Sequence, residues 1–545
     1  MLDSDLALLA GHAARLRQRH LRDLIAEPSR SVRYQHRVGP LLIDFSRQKI
    51  DDDALAALGE IVEKARWTEA RDTMFRGEPI NTSENRAVLH TALRASESQL
   101  PALAPRDVLA EIDAAQQRME SLVDAIHGGT DGGIGLATGI TDVVNLGIGG
   151  SDLGPRLAVE ALGAFALGKV RCHFLPNVDG HRTAALMRTL DPRRTLVLLV
   201  SKSFSTEETL LNGHLLREWL RDAYAGDHAD ADRHFVAVSA NVDAARAFGV
   251  PAERVLPMWD FVGGRYSVWS AAGLVVALAL GMPGFRALLR GAAAMDDHFR
   301  SAAWHANLPV LLALVGAWNR NAQGCASRAV VPYLDSLAEL PAYLQQLEME
   351  SLGKSVTPDG APVAQATVPV VWGNVGTNAQ HAFFQALHQG TDVVPVEFVG
   401  VVRASHGLRE NHEALLANLL AQGAALALGR TREEALAEAR GGSDAERETL
   451  AAQRTFPGDR PSTTILLDEL TPESLGMLLA LHEHAVLVQS LLWNVNAFDQ
   501  WGVELGKTLA KAIRPALTGT EANGLDAATR ALVAAIRIAR SRGVS

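Results

Sequence analysis

Short unbroken apolar runs, separated by longer stretches with helical spacing, dominate the chain beyond residue 140. The first set lies at 142–147, 170–175, 195–200 and 234–239, with a shorter run near 254–257. Apolar runs without polar alternation belong to strands buried on both faces. Helical segments between them predict βαβ units in a parallel, doubly wound sheet. A second set repeats the pattern at 329–331, 368–372, 393–402 and 464–467. Residues 1–110 carry mostly amphipathic helix signal with no clear strand series. After Lys507 the chain turns into an Ala-, Leu- and Arg-rich helical tail. The predicted α/β organisation is a helical N-terminal region over 1–110, a first array over 111–282, a second over 283–510 and a helical arm over 511–545. The charged stretch 430–454 reads as a surface excursion, and no short-period repeat suggests a solenoid.

Composition narrows the class. With 545 residues the chain exceeds what one core holds, and 48% hydrophobic with 21% charged residues is the make-up of a soluble globular protein. The longest apolar stretch, 271–282, falls short of the roughly 20 residues a membrane helix needs, so no membrane partner is expected. The start, Met1-Leu2-Asp3-Ser4-Asp5, lacks the basic segment of a secretory signal. Only Cys172 and Cys325 occur, which points to no disulfide framework and to a reducing cytoplasm. A net charge of −10 argues against nucleic acid as a partner, while an anionic substrate needs only local positive potential.

Chemistry-capable residues gather at predicted strand ends. Ser201-Lys202-Ser203-Phe204-Ser205-Thr206 stands between an apolar strand and a helix start. Backbone N–H groups, hydroxyls and one ammonium there suit a phosphate monoester, although a plainly capped helix would use the same residue types. Gly147-Ile148-Gly149-Gly150-Ser151 resembles a dinucleotide fingerprint, but its spacing is wrong and the next strand leads into Pro176-Asn177-Val178-Asp179. A phosphate- or sugar-contacting turn fits better. Arg265 follows a glycine pair and offers an always-charged fork to an oxyanion, with a snorkelling surface arginine as the alternative. Gln346 and Glu350 stand four apart, on one helical face, while Glu348 points elsewhere. A Glu350–Lys354 surface ion pair is the competing reading. His381 opens a helix after the 368–372 run, whereas His388 reads as structural. His482 and His484 lie about 200° apart on one helix and cannot share an ion, and no metal site or ATP-binding loop is indicated.

Longer stretches resemble a known family. Residues 260–273, Asp-Phe-Val-Gly-Gly-Arg-Tyr-Ser-Val-Trp-Ser-Ala-Ala-Gly, are similar to one signature of the glucose-6-phosphate isomerase family. Residues 490–507, Ser-Leu-Leu-Trp-Asn-Val-Asn-Ala-Phe-Asp-Gln-Trp-Gly-Val-Glu-Leu-Gly-Lys, are similar to the other. Further matches are 77–84, 86–90, the Gly147–Ser151 turn, the Ser201 loop, Met349-Glu350-Ser351 and Gln380-His381-Ala382-Phe383, so the resemblance runs from about residue 75 to Lys507. Ser203 and Ser205 replace the usual threonines, and Leu352 replaces a frequent asparagine.

The resemblance implies two sugar-isomerase (SIS) domains and reversible conversion of glucose 6-phosphate to fructose 6-phosphate without a metal or organic cofactor. Glu350 would move the proton between C2 and C1, and Arg265 would stabilise the cis-enediolate. His381, oriented by Glu208 and aided by Lys507, would assist ring opening. Ser201, Lys202, Ser203, Ser205 and Thr206 would bind phosphate with Gly150 and Ser151 beside them, and Gln346 and Gln500 would contact the sugar. His381 would enter its site from the partner subunit, which implies a homodimer. Two rivals stay open: a related SIS-domain isomerase that also takes mannose 6-phosphate, and a catalytically silent sugar-phosphate sensor.

Overall fold

Every residue of the strand Thr195–Val200 is buried, and alternate side chains enter different apolar clusters. Leu196, Leu198 and Val200 face one cluster, Val197 and Leu199 the other. A strand covered on both faces needs helices on both sides, which is why it reads as a continuous apolar run. The computed structural model describes residues 1, 3–95, 106–520 and 524–542. Residues 96–105 of the expected N-terminal region, and 521–523 and 543–545 of the expected arm, lie outside the described residues.

Eleven strands occur among the described residues: β1 Gln35–Val38, β2 Leu41–Asp44, β3 Asp142–Leu146, β4 Arg171–Phe174, β5 Thr195–Val200, β6 Phe235–Ser239, β7 Val255–Pro257, β8 Ser327–Pro332, β9 Val370–Gly373, β10 Val396–Arg403 and β11 Ser462–Glu469. They form a five-stranded sheet in the order β4-β3-β5-β6-β7 and a six-stranded sheet in the order β1-β2-β11-β10-β8-β9. The first is parallel throughout. The second is parallel from β11 to β9, and the β1–β2 hairpin adds to its edge in antiparallel register through Thr464↔Asp44 and Ile465↔Ile43. The N-terminal region therefore supplies two strands where only helix signal was expected. Leu41 and Ile43 are fully buried, but β1 reads Gln-His-Arg-Val, too short and polar to register as a strand.

Between the sheets run two long helices, Leu274–Ser301 and Pro472–Trp493, whose side chains share one cluster with Leu196, Val330, Val399 and Ile465. Their backbones touch through glycine. A Cβ on Gly291 would sit 1.8 Å from the Glu473 carbonyl oxygen, and one on Gly476 would sit 2.0 Å from that of Leu288. Any side chain at either position would force the helices apart. Gly281 breaks the first helix with φ 76° just before Pro283, the place where the border between the two arrays was expected. Both helices, counted from Ala271 for the first, are apolar and long enough to cross a membrane, yet 83% and 94% of their most apolar windows are buried inside the fold.

Residues 1–498 form one compact unit and residues 499–545 a second. The second unit holds a 3-10 turn, Trp501–Val503, and the helices Glu504–Ala516 and Ala527–Arg542 around a small core of Ala516, Leu525 and Val533.

Candidate active site

The segments after β3 and β5 and the helix after β8 all meet the stretch around Arg265. Beyond β3 the chain turns through the 3-10 segment Gly149–Ser151. A Cβ on Gly150 would lie 1.9 Å from the Gly264 carbonyl oxygen, so only glycine lets this turn meet the Arg265 loop. A Cβ on Gly149 would lie 2.9 Å from Gln346 Nε2, which fixes the turn against the helix carrying Glu350.

That helix begins at Leu340–Leu344 and widens into a π turn over Gln345–Glu350. Gln346 Nε2 donates to Glu350 Oε2 at 2.7 Å, and Arg265 Nη1 donates to Glu350 Oε1 at 3.2 Å. The Glu350 side chain keeps 22% of its surface open, whereas that of Arg265 keeps 1%. Arg265 is clamped: its Nε donates to Ser351 Oγ at 2.6 Å and its Nη2 to the Ala497 carbonyl at 2.5 Å. Buried charge held in this way is oriented, not snorkelling. Lys354 donates to the carbonyls of Glu350, Ser351 and Asn496 at 3.0, 2.6 and 2.8 Å. The ammonium thus staples the end of the turn, and Arg265 is the ionic partner of the Glu350 carboxylate. Glu348, as expected, points away, into a buried contact with Arg328 at 2.6 Å.

After β5, Phe204 takes φ 51° and turns inward, edge-on to Phe248 at 5.9 Å. Its neighbours Ser203 and Ser205 are exposed, with hydroxyls 2.7 Å apart, and Ser201 Oγ stands 3.0 Å from Thr206 Oγ1. Thr206 is the N-cap of Glu207–Ala223, but its side chain takes no helix N–H. The capped-helix reading therefore fails locally, and Thr206 leaves the N–H donors of the first turn untaken. Lys202 Nζ rests 3.2 and 3.3 Å from the Asp260 and Val262 carbonyls and 3.3 Å from the Asp260 carboxylate. Burial lowers the Lys202 ammonium below its ordinary value, and Asp260 opposes that shift. The contact links the hydroxyl loop to the Arg265 segment.

His381 sits exposed in the short helix Asn378–Ala382 beyond β9, and Glu208 is half-buried in the first turn of Glu207–Ala223. Neither side chain has a hydrogen-bond or ionic partner among the described residues. Ser151 is buried in its turn. Gln500 and Lys507 belong to the second unit, Lys507 exposed on Glu504–Ala516. His388 bonds Gln422 at 2.9 Å.

Residue-by-residue reading missed the support of the site. Ser351 holds Arg265 and meets the Tyr266 hydroxyl at 3.2 Å. Asn496 Nδ2 ties the 77–84 segment in place through Asn81 Oδ1 at 2.8 Å and Ser83 Oγ at 3.0 Å. Their one sequence signal is position within the matched stretches.

The arrangement offers a carboxylate fixed by an amide and a guanidinium, with the hydroxyl loop after β5 tied to the same Arg265 segment through Lys202. The comparisons with known proteins agree. The model of the phosphoglucose isomerase family matches residues 44–533. A glucose-6-phosphate isomerase of Xanthobacter autotrophicus is 51% identical over 508 residues, covering 92% of each chain. One of Stenotrophomonas maltophilia is 49% identical over 531 residues, covering 97% of this chain and 98% of its own. The crystal structure of a glucose-6-phosphate isomerase from Chlamydia trachomatis superposes with a TM-score of 0.81 at 32% identity, covering 98% of both chains.

Proposed function

The chain belongs to the phosphoglucose isomerase family and interconverts glucose 6-phosphate and fructose 6-phosphate, and we propose that Glu350 is its base. An aldose–ketose isomerase must open the sugar ring, take a proton from the carbon beside the carbonyl and return it to the neighbouring carbon. The Glu350 carboxylate takes the C2 proton of open-chain glucose 6-phosphate and delivers it to C1. A carboxylate suits this transfer because the same oxygen can accept and return the proton. Arg265, fixed by Ser351 and Ala497, stabilises the negative charge of the cis-enediolate without moving.

Ser201, Lys202, Ser203, Ser205 and Thr206 hold the phosphate, with Gly150 and Ser151 at its flank. Binding energy gathered there orients the reacting end. Gln346 and Gln500 contact the sugar hydroxyls. His381, oriented by Glu208 and assisted by Lys507, opens the ring. The exposure of His381, and the lack of a partner for it or for Glu208, support a homodimer in which each His381 serves the other subunit's site. The two apolar helices buried in the core and the two free cysteines support a cytoplasmic protein without membrane or nucleic-acid partners.

The observation that carries the reading is the Gln346–Glu350–Arg265 contact at the crevice. It also favours an enzyme over a silent sensor, which needs no clamped carboxylate. Glu350→Gln keeps the shape and loses the proton acceptor. Turnover should fall about 10²–10⁴-fold while sugar-phosphate binding persists. Near-normal turnover would remove Glu350 from the chemistry.

A further inference from the structure

The two parallel arrays share more than a class. In the first sheet β3 is flanked by β4 on one side and by β5, then β6, on the other. In the second, β8 is flanked by β9 on one side and by β10, then β11, on the other. Chain order and spatial order coincide under the correspondence of β3, β4, β5 and β6 with β8, β9, β10 and β11. The strand order reverses beside β3 in one sheet and beside β8 in the other, and such reversals open ligand crevices at strand carboxyl ends. The active crevice occupies the first of these.

The helices that follow also correspond. Pro155 and Pro341 each stand nine residues beyond their strand ends, Leu146 and Pro332. The helices meet where a Cβ on Gly154 would lie 3.5 Å from Tyr343 Cε2. In that register Gln346 corresponds to Glu160, and Glu350 to Ala164. The helix after β8 reaches over to the first sheet's crevice, where Gln346 meets Gly149. Reciprocally, the segment after β3 reaches the second sheet. There Glu160 and Ala164 line a cleft of about 360 Å³ with Ser336 after β8, Arg403, Ser405 and His406 at the end of β10, and Glu469 closing β11.

We propose that this second crevice is a binding site for a small phosphorylated polyol, of the sugar-phosphate class, and that it binds without isomerising. The lining supplies both halves of such a ligand. Arg403 engages Glu469 through Nε at 2.5 Å, as Lys202 engages Asp260 in the first crevice, and its Nη nitrogens make no hydrogen bond among the described residues. His406 Nδ1 accepts from the Leu408 N–H at 3.1 Å, so a neutral ring carries its proton on Nε2, ready to donate. The hydroxyls of Ser336 and Ser405 and the Glu160 carboxylate make no hydrogen bond among the described residues and remain for sugar hydroxyls and phosphate. The volume suits a ligand of hexose size. Ala164 stands where the first crevice has its carboxylate, so the site holds no base at that place.

The proposal goes beyond the function argued above, and only the absence of isomerisation rests on the Glu350 assignment. The test counts sites by equilibrium dialysis with radiolabelled sorbitol 6-phosphate, a polyol phosphate with no carbonyl to isomerise. The wild-type protein should take up two equivalents per chain. The double variant Arg403→Ser with His406→Ala, and separately Ala164→Trp to fill the cleft, should each take up one and keep wild-type kcat. A variant with Ser201→Ala and Thr206→Ala should lose affinity at the other site and keep one equivalent displaced only by the cleft changes. One equivalent in the wild type, or two in both cleft variants, would overturn the proposal. A kcat held at the wild-type value tells lost binding from lost fold.

Discussion

His482, Glu483 and His484 are consecutive on one helix, yet they feed two buried ion clusters that differ in geometry. In the first, Arg94 Nε and Nη2 grip both oxygens of Asp296 at 2.8 and 2.7 Å, and Nη1 reaches Glu483 at 2.5 Å. Trp269 Nε1 takes the other Glu483 oxygen at 2.7 Å, and His484 Nε2 lies 2.6 Å from Asp296. In the second, Arg328 meets Glu348 at 2.6 Å but Glu397 only at 3.4 Å, and His482 stands 3.8 and 3.5 Å from the two carboxylates. Arg328 Nε, Glu397 Oε1 and His482 Nε2 have no hydrogen-bond partner among the described residues, and in the first cluster neither has His484 Nδ1. Each cluster sets one arginine against two acids, so the charge inventory is the same and the pairing is not.

The difference assigns them different work. In the first cluster the arginine and both acids are paired, yet burial still pushes Glu483 above its ordinary value and His484 below its own. Burial would push Asp296 up, but Arg94 and His484 hold it down at about 2. In the second, burial pushes Glu397 above its ordinary value against the pull of Arg328, and burial, opposed by Glu348 and aided by Arg328, lowers His482 to about 4. The first cluster is therefore a clamp on the fold. The second, whose Glu348 lies in the π turn two residues before Glu350, brings its pH response next to that turn.

The largest expected effect comes from breaking the clamp. Arg94→Met leaves Asp296 and Glu483 buried without their cation, and such losses cost about 3–5 kcal/mol. The urea midpoint should fall accordingly, and further than in Arg328→Met, because Arg94 makes three hydrogen bonds to its two acids and Arg328 one. Equal losses would erase the distinction between the clusters.

Much of this architecture was legible in the residues, and the omissions have physical reasons. Strands such as β5 are apolar on both faces, and that pattern needs no tertiary context to be read. The separation of His482 from His484 followed from helical angle alone, and each does join a different cluster. What the angle could not supply was the partners, because Arg94, Asp296, Arg328 and Glu397 arrive from 85 to 390 residues away in the chain. The β1–β2 hairpin escaped for a different reason: its pairing depends on β11, some 420 residues downstream. Glu350 and Lys354 at helical spacing suggested a surface pair. The crevice overrides that local rule, since carbonyls at the end of the turn draw in the ammonium.

A smaller effect separates the clusters by pH. His482 titrates near 6.5 when unfolded and about 4 when folded. Between those values the unfolded chain binds more protons, so stability is complete above pH 6.5 and falls as pH drops towards 4. At roughly 1.4 kcal/mol per unit, the ceiling is about 3 kcal/mol. Asp296 acts lower, between its ordinary 3.8 and about 2, where its contribution is lost with falling pH. His482→Gln should lessen the fall in the upper window, to which the buried His484 also contributes, and leave the lower one. A profile unchanged between pH 4 and 6.5 would show that the second cluster does not set the response.

The smallest effect lies where the clamp approaches the chemistry. His90 stands 3.8 Å from Glu483 and stacks on Tyr266 at 4.6 Å, and the Tyr266 hydroxyl meets Ser351, which holds Arg265 Nε. Ser351 is thus a positioning residue between a structural cluster and a reacting one. Ser351→Ala removes one hydrogen bond to a charged group, about 1.5–3 kcal/mol in isolation. Arg265 keeps its Ala497 and Glu350 contacts, so the expected loss is at the low end, roughly tenfold. The loss should appear in kcat and spare KM if, as proposed, the guanidinium meets charge that develops only in the enediolate. Ser351→Thr, which keeps the hydroxyl, should restore most of it, and the urea midpoint should stay within about 1 kcal/mol of wild type. If the alanine variant instead loses stability as Arg94→Met does and turns over normally, the hydroxyl belongs to the clamp. The boundary between scaffold and chemistry would then lie at Arg265 itself.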